Sequence, residues 1–171
     1  FALRKHKGVD EAKALEAART PAVYAAMLVR LGHAAGTVGG AVLTTSEIVR
    51  SAIQVIGVAE DAAMVSSFFL MYPPENSPTA GRAMIYSDCG LVVDPTPNEL
   101  AEIARASAKS CRALFETEPK IAFLSFSTMG SASHAGVTKV SEGLAIFKKA
   151  EPDIEADGEL QFDAAFEASV G

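Results

Sequence analysis

The sequence is poor in cysteine, in positive charge and in long apolar runs, and each shortage removes a class of protein. The two cysteines, Cys89 and Cys111, lie far apart with no His or Cys beside them at metal-ligand spacing. A structural zinc site is therefore not expected. The pair reads either as free thiols of a reducing compartment, here the cytoplasm, or as one disulfide. Lys and Arg total 15 against 21 Asp and Glu, a formal charge of −6. A surface built for nucleic acid is not expected, and any basic cluster acts locally. The longest apolar stretch, residues 62–72, contains Ser66 and Ser67 and falls well short of the roughly 20 residues a membrane-spanning helix needs. The chain opens on Phe1 rather than Met, shows no signal-peptide pattern, and starts and stops inside segments that read as continuing. It reads as a fragment of a longer polypeptide. There is no internal repeat and no low-complexity tract. What is present, 171 residues with 49% hydrophobic and 21% charged side chains, suits a soluble globular protein of one domain or pieces of two.

Helical and extended patterns alternate, which argues for a layered α/β fold. Residues 10–18 fit a first helix. Thr20 and Pro21 open a second one, with Val23, Met27, Leu28 and Leu31 as its stripe and Gly32 as its stop. Residues 37–43 (TVGGAVL) read as a short buried strand, and Thr44 with Glu47 forms a capping box that opens a helix to about Ile56. Residues 62–72 read as a central strand. The prolines of 73–81 make that stretch a loop, and 82–88 returns as an antiparallel partner. A second capping box, Thr96 and Glu99 around Pro97, begins a helix to about Phe115. A strand at 120–126, a helix bearing Val137, Val140, Leu144 and Phe147, and an extended segment at 154–160 complete the order. A composition shift at 57–63 marks a boundary, so that 1–61 belongs to one α/β domain and 62–171 to another.

Three constellations carry candidate chemistry. Arg4, Lys5, His6 and Lys7 cluster before Gly8; such a cluster holds phosphate or is simply a solvated segment. Gly39 and Gly40 lead to Thr44, Thr45 and Ser46 with Arg50 one turn inside the helix. A helix N-terminus with spare hydroxyls and an arginine suits an anion, although capping alone accounts for the threonines. The ending of a Walker A loop is missing there. The third is the loop Ser125-Phe126-Ser127-Thr128-Met129-Gly130-Ser131-Ala132-Ser133. It reads as a second site where a ligand meets backbone, or as a polar connection. Two such loops favour a phosphate-bearing ligand. No G-x-S-x-G elbow occurs, and His6, His33 and His134 show no triad spacing. Asp157, Glu159 and Asp163 read as bases or ion-pair partners, with nothing local to decide.

Taken together and in this order, these segments resemble the phosphate acetyltransferase family. The carrying residues are Arg4 to Gly8, Gly39 to Arg50, Ser125 to Ala132, and the run Asp157-Gly-Glu-Leu-Gln-Phe-Asp-Ala-Ala165, and they span essentially the whole chain. The resemblance implies a three-layer α/β/α, two-domain fold similar to the isocitrate and isopropylmalate dehydrogenases, with a dimer in the cytoplasm. It implies exchange of an acetyl group between coenzyme A and inorganic phosphate. Acetyl-CoA, phosphate and acetyl phosphate would be the small-molecule partners, with coenzyme A as substrate and neither cofactor nor metal. By motif, Arg4 matches a residue tied to coenzyme A or substrate binding, and Arg50 one that engages the phosphoryl group in catalysis. Thr44, Thr45 and Ser46 fall beside it, and Ser127, Thr128, Gly130 and Ser131 in the second loop.

The chain departs from the family pattern at Leu43, Glu47, Ser51 and Met129, where His, Asp, Pro and Lys are usual. The family's Ser-Arg pair and its proposed base, an Asp, lie in a later segment, so the 171-residue chain alone is expected to lack turnover. The alternatives are a phosphate butyryltransferase and the non-catalytic, acetyl-CoA-sensing domain fused to some malic enzymes. Glu159-Leu160-Gln161 looks more like the acetyl enzymes.

Overall fold

The structure, a computed structural model, describes residues 1–76, 81–167 and 169–170. The chain divides into two compact units, Phe1–Asp61 and Ala62–Gly171.

The first unit is helical. A 3₁₀ turn at Lys5–Lys7 precedes α1 (Glu11–Ala18), α2 (Pro21–Arg30) and α3 (Thr45–Val55). Asp10 caps α1 by accepting from the Lys13 N–H at 2.8 Å. Thr20 stands at the N-cap of α2 without capping it; its hydroxyl instead donates to the Ala17 carbonyl at 2.7 Å. Gly32, at φ 75, lets the His33 N–H reach back to the Leu28 carbonyl, the 6→1 bond that closes a Schellman turn. Arg30 donates to the Val55 and Ile56 carbonyls at 2.9 and 3.1 Å, so one helix end neutralises another. Only Ala26 and Val55 are buried hydrophobics here.

The strand expected over residues 37–43 does not form. Val38 and Val42 are fully exposed. A strand needs a partner for its N–H and C=O groups, and the first unit contains no other strand to supply one.

In the second unit, β1 (Phe68–Met71) pairs antiparallel with β2 (Met84–Ser87), with Phe68 opposite Ser87 and Met71 opposite Met84. The expected hairpin is therefore present, but the strand is much shorter than 62–72 and is not central. Among the described residues its only partner is β2, and Phe69, Leu70 and Met71 are exposed. Residues 77–80 of the expected 73–81 loop lie outside the described residues. Next come α4 (Pro97–Phe115), β3 (Lys120–Leu124), α5 (Ala135–Ala150), β4 (Glu155–Leu160) and α6 (Phe162–Phe166), a short helix without a sequence signal. Strands β3 and β4 are parallel, joined by α5 as a βαβ unit.

The core of this unit is where β3, α4 and α5 meet. Ala101, Ala104 and Ala108 of α4 face Leu144 and Phe147 of α5, with Phe123 and Ile154 beneath them. Phe147 is fully buried, and its ring lies 5.7 Å from that of Phe123. A Cβ at Gly143 would sit 3.0 Å from Leu100 Cβ, so glycine sets how closely the two helices approach. The core therefore anchors the loop that leaves β3 and the helix that follows it.

Candidate functional site

At the start of α3, local chemistry builds both a cap and an opening. Thr44 accepts from the Glu47 N–H, and Glu47 accepts from the Thr44 N–H and hydroxyl at 2.8 and 2.7 Å. These bonds from Thr44, with the Arg50 charge contributing, hold the Glu47 carboxyl below the usual range. The N–H groups and hydroxyls of Thr45 and Ser46 find no acceptor or donor among the described residues. Arg50 lies one turn beyond Ser46 on the same helix face and is exposed, its guanidinium without a hydrogen bond or ion pair among the described residues. The first turns of α3 thus present unpaired donors, a partial positive charge and a guanidinium. Arg4, at the N-cap of the 3₁₀ turn, is half-buried, and its guanidinium likewise has no hydrogen bond or ion pair among the described residues.

The loop after β3 is organised differently. Gly158 interrupts β4 at φ 147, pressed so close to Phe123 that a Cβ would meet its carbonyl oxygen at 2.7 Å. The ladder shifts register there, with Phe123 opposite Gly158 but Leu124 opposite Leu160. Glu159 is the extra residue of this bulge, and a bulge re-aims its side chain. Glu159 is 6% exposed. Its Oε1 accepts from the Ser127 hydroxyl at 2.9 Å and the Gly130 N–H at 2.7 Å, while Oε2 accepts from the Ser141 hydroxyl at 3.0 Å. Its carbonyl accepts from the Met129 N–H at 3.0 Å. The Gly130 N–H and the Ser127 hydroxyl, outweighing burial, keep the Glu159 carboxyl below the usual range.

The remaining donors of the loop also turn inward. The Thr128 N–H reaches Ser131 Oγ, the Ser131 N–H reaches the Thr128 carbonyl, and the Ala132 N–H reaches Ser127 Oγ. Ser127 is fully buried. Thr128 Oγ1 accepts from the Gln161 N–H at 2.9 Å and donates to Gln161 Oε1 at 3.3 Å. Of the four residues singled out in this loop, Gly130 and Ser131 face solvent and Thr128 is half-buried; Phe126 and Met129 are exposed beside them. Ser127, Thr128, Gly130 and Ser131 are thus brought together, around a carboxylate of the chain itself. Glu159, Ser141 and Gln161 were not singled out from sequence as partners of this loop. The signal that was available is Gly158, since a glycine inside a strand pattern marks a bulge.

Asp88 shows the same arrangement on a smaller scale. It accepts from the Ser67 N–H and hydroxyl and from the Gly90 and Leu91 N–H groups, all between 2.7 and 2.9 Å. Burial opposes its charge, but these donors prevail and lower the carboxyl to about 2. The acids read as possible bases take other places. Asp157 lies 3.9 Å from Lys148 Nζ, and Asp163 is exposed in the first turn of α6. Both cysteines are free thiols. Among the described residues no group of acidic, His or Cys side chains could hold a metal, and no helix is long and apolar enough to cross a membrane.

Comparisons with known proteins bear on the whole of this arrangement. A phosphate acetyltransferase from Paracoccus denitrificans is 48% identical over 168 residues, covering 98% of this chain and 53% of that protein. Another, from Clostridium acetobutylicum, is 42% identical, covering 99% of this chain and 51% of its own length. Among solved structures, the EutD phosphotransacetylase from Staphylococcus aureus aligns with a TM-score of 0.81 at 36% identity, over 99% of this chain and 50% of that one. The chain spans about half the length of these relatives. The mixed α/β fold with its small sheets is that of the phosphotransacetylases. Because the phosphate acetyl/butaryl transferase family model matches residues 1–171, the chain belongs to that family.

Proposed function

We propose that the protein carrying this chain moves an acetyl group between coenzyme A and inorganic phosphate. The observation that carries the reading is the family match over residues 1–171. The curated relatives named above are phosphate acetyltransferases, which favours acetyl over butyryl transfer and an enzyme over a sensing module.

In this reading the phosphate of acetyl phosphate is held by α3. The Thr45 and Ser46 N–H groups and hydroxyls donate to its oxygens, and Arg50 offers two parallel donors. Thr44 holds the helix start in shape. Arg4 meets a second anionic group of the substrates. In the acetyl-CoA-forming direction a thiolate attacks the acetyl carbonyl and phosphate departs. Charge gathers on the carbonyl oxygen and on the departing phosphate, so donors fixed before the reaction lower the barrier. The 127–132 loop offers Thr128, Gly130 and Ser131 to a substrate. The base that takes the thiol proton, and the donors to the carbonyl oxygen, come from a later segment of the complete protein. That protein has the two-domain α/β/α fold similar to the isocitrate and isopropylmalate dehydrogenases, with 1–61 and 62–171 contributing to different domains, and works as a cytoplasmic homodimer without a cofactor.

The test is acetyl-CoA formation from coenzyme A and acetyl phosphate by the complete protein and by the 171-residue chain. The complete protein is expected to turn over, and the chain alone to be slower by at least the roughly 10²–10⁴ that a missing base costs. Comparable rates would place the catalytic groups inside the chain and overturn this assignment of roles. A complete protein inactive with acetyl phosphate would overturn the function itself.

A further inference from the structure

We propose that Glu159 is a positioning residue for the phosphate-bearing substrate, acting through the 127–132 loop whose shape its carboxylate holds. The substrate half of this inference rests on the acetyl-transfer reading above; the loop half does not.

An ionised carboxylate 6% exposed is costly to bury unless several donors replace water. Glu159 has no cation within ion-pair distance among the described residues, and its donors are all neutral. They come from separate places in the chain. Ser127 and Gly130 belong to the loop after β3, whereas Ser141 lies on α5. The carboxylate is therefore a fixed point between the loop and the helix that follows it. Met129 and Gly130 adopt φ of 47 and 82, successive left-handed positions. A methionine holds that conformation only where its surroundings over-determine it. Here the surroundings are the Glu159 carbonyl on the Met129 N–H and the Glu159 carboxylate on the Gly130 N–H. Moving the loop requires breaking both. With its N–H groups directed inward, the loop meets a ligand through Thr128, Ser131 and the bare Gly130 backbone, and Glu159 determines where these stand.

Two substitutions in the complete protein separate reach from charge. Glu159→Gln keeps the length: its Oε1 accepts from Ser127 and Gly130, and its amide donates to the Ser141 oxygen. Glu159→Asp keeps the charge but withdraws the carboxylate by one methylene. For Glu159→Asp, the KM for phosphate is expected to rise about tenfold or more, as does the exchange rate of the Met129 and Gly130 amides, the scale of one lost bond to a charged group. The KM for acetyl-CoA moves less than about threefold, and Glu159→Gln restores most of the phosphate affinity and amide protection. Glu159→Asp with unchanged phosphate KM, or with still-protected amides, overturns the proposal. So does Glu159→Gln as impaired as Glu159→Asp, which would make charge rather than position decisive. If Glu159→Asp does not fold, Ser141→Ala removes the bond to Oε2, together with a helix-internal one to the Val137 carbonyl, and leaves both bonds to Oε1. It is expected to shift both readouts in the same direction by a smaller factor, and no shift in either overturns the proposal. Amide exchange needs no turnover, so an inactive protein whose loop still depends on Glu159 would fail the acetyl-transfer reading while leaving the loop half standing.

Discussion

The start of α3 and the loop after β3 use the same materials, small hydroxyl residues and glycine ahead of a helix, and arrive at opposite electrostatic states. At α3 the donors of Thr45 and Ser46 stay unpaired among the described residues, and Arg50 adds an exposed guanidinium without an ion pair there. After β3 the equivalent donors close on Glu159 and on one another. The two regions also rest on different foundations. The loop grows from the Phe123–Phe147 core, whereas α3 belongs to a unit in which Ala26 and Val55 are the buried hydrophobics. The same composition thus keeps donors open at Thr45 and Ser46, where the capping Glu47 carboxylate engages only Thr44, and closes them where Glu159 reaches into the loop.

The sharpest way to break this contrast is to remove the foundation of the closed loop. Phe147→Ala should destabilise the second unit by about 3–5 kcal/mol, the usual cost of an emptied aromatic site. Urea unfolding followed by far-ultraviolet circular dichroism would show it, and a loss below about 1 kcal/mol would mean that Phe147 is not the keystone of the core.

The open site is tested next. In the complete protein, Arg50→Ala should lower kcat/KM toward acetyl phosphate by about 1.5–3 kcal/mol in transition-state binding, the scale of a hydrogen bond to a charged group. Kinetics equal to wild type would remove Arg50 from the substrate site.

A smaller effect separates capping from binding. Thr44→Ala and Thr96→Ala each dismantle a capping box of the same geometry, and each should cost about 1 kcal/mol of stability. If the start of α3 is also a substrate site, only Thr44→Ala should in addition weaken phosphate binding. Equal effects of both on the phosphate KM would reduce Thr44 to a cap.

The smallest effect concerns Asp88, which repeats the Glu159 pattern. Its carboxyl, lowered from 3.8 to about 2, contributes stability that is full above the unfolded value and is lost as pH falls through the folded one. The urea midpoint should therefore drop between about pH 5 and pH 2. Asp88→Asn should flatten part of that drop, by an amount that solvent screening keeps to about 1 kcal/mol or less. A profile identical to wild type would show that the donors around Asp88 do not distinguish its charged form.

Much of this was legible without coordinates, and the legible part is local. The capping boxes at Thr44 and Thr96, the end of α4 at Phe115, the stop at Gly32 and the buried stripe of Val137, Leu144 and Phe147 all follow from residues within a turn or two of each other. The strand expected at 37–43 failed for want of a partner, which no local pattern can supply. Residues 62–72 shrank to the four-residue β1 because only that part finds β2. In the site, the hydroxyls of the third constellation were visible, but what they bond to was not. Glu159 lies 32 positions from Ser127, and its aim depends on one extra residue in β4.

The sequence by itself determined helix placement, the family and the residue types available for anion binding, because caps, stripes and motifs act over short spans of backbone. Tertiary structure alone decided which hydroxyls are free and which are engaged. Parallel pairing of β3 with β4 brings the end of one strand beside the end of the other, and the bulge at Gly158 turns a carboxylate into the adjoining loop. A hydrogen bond of 2.7–3.0 Å between groups so far apart in the chain is a property of that register, and a slip of one residue would send Glu159 to the other face.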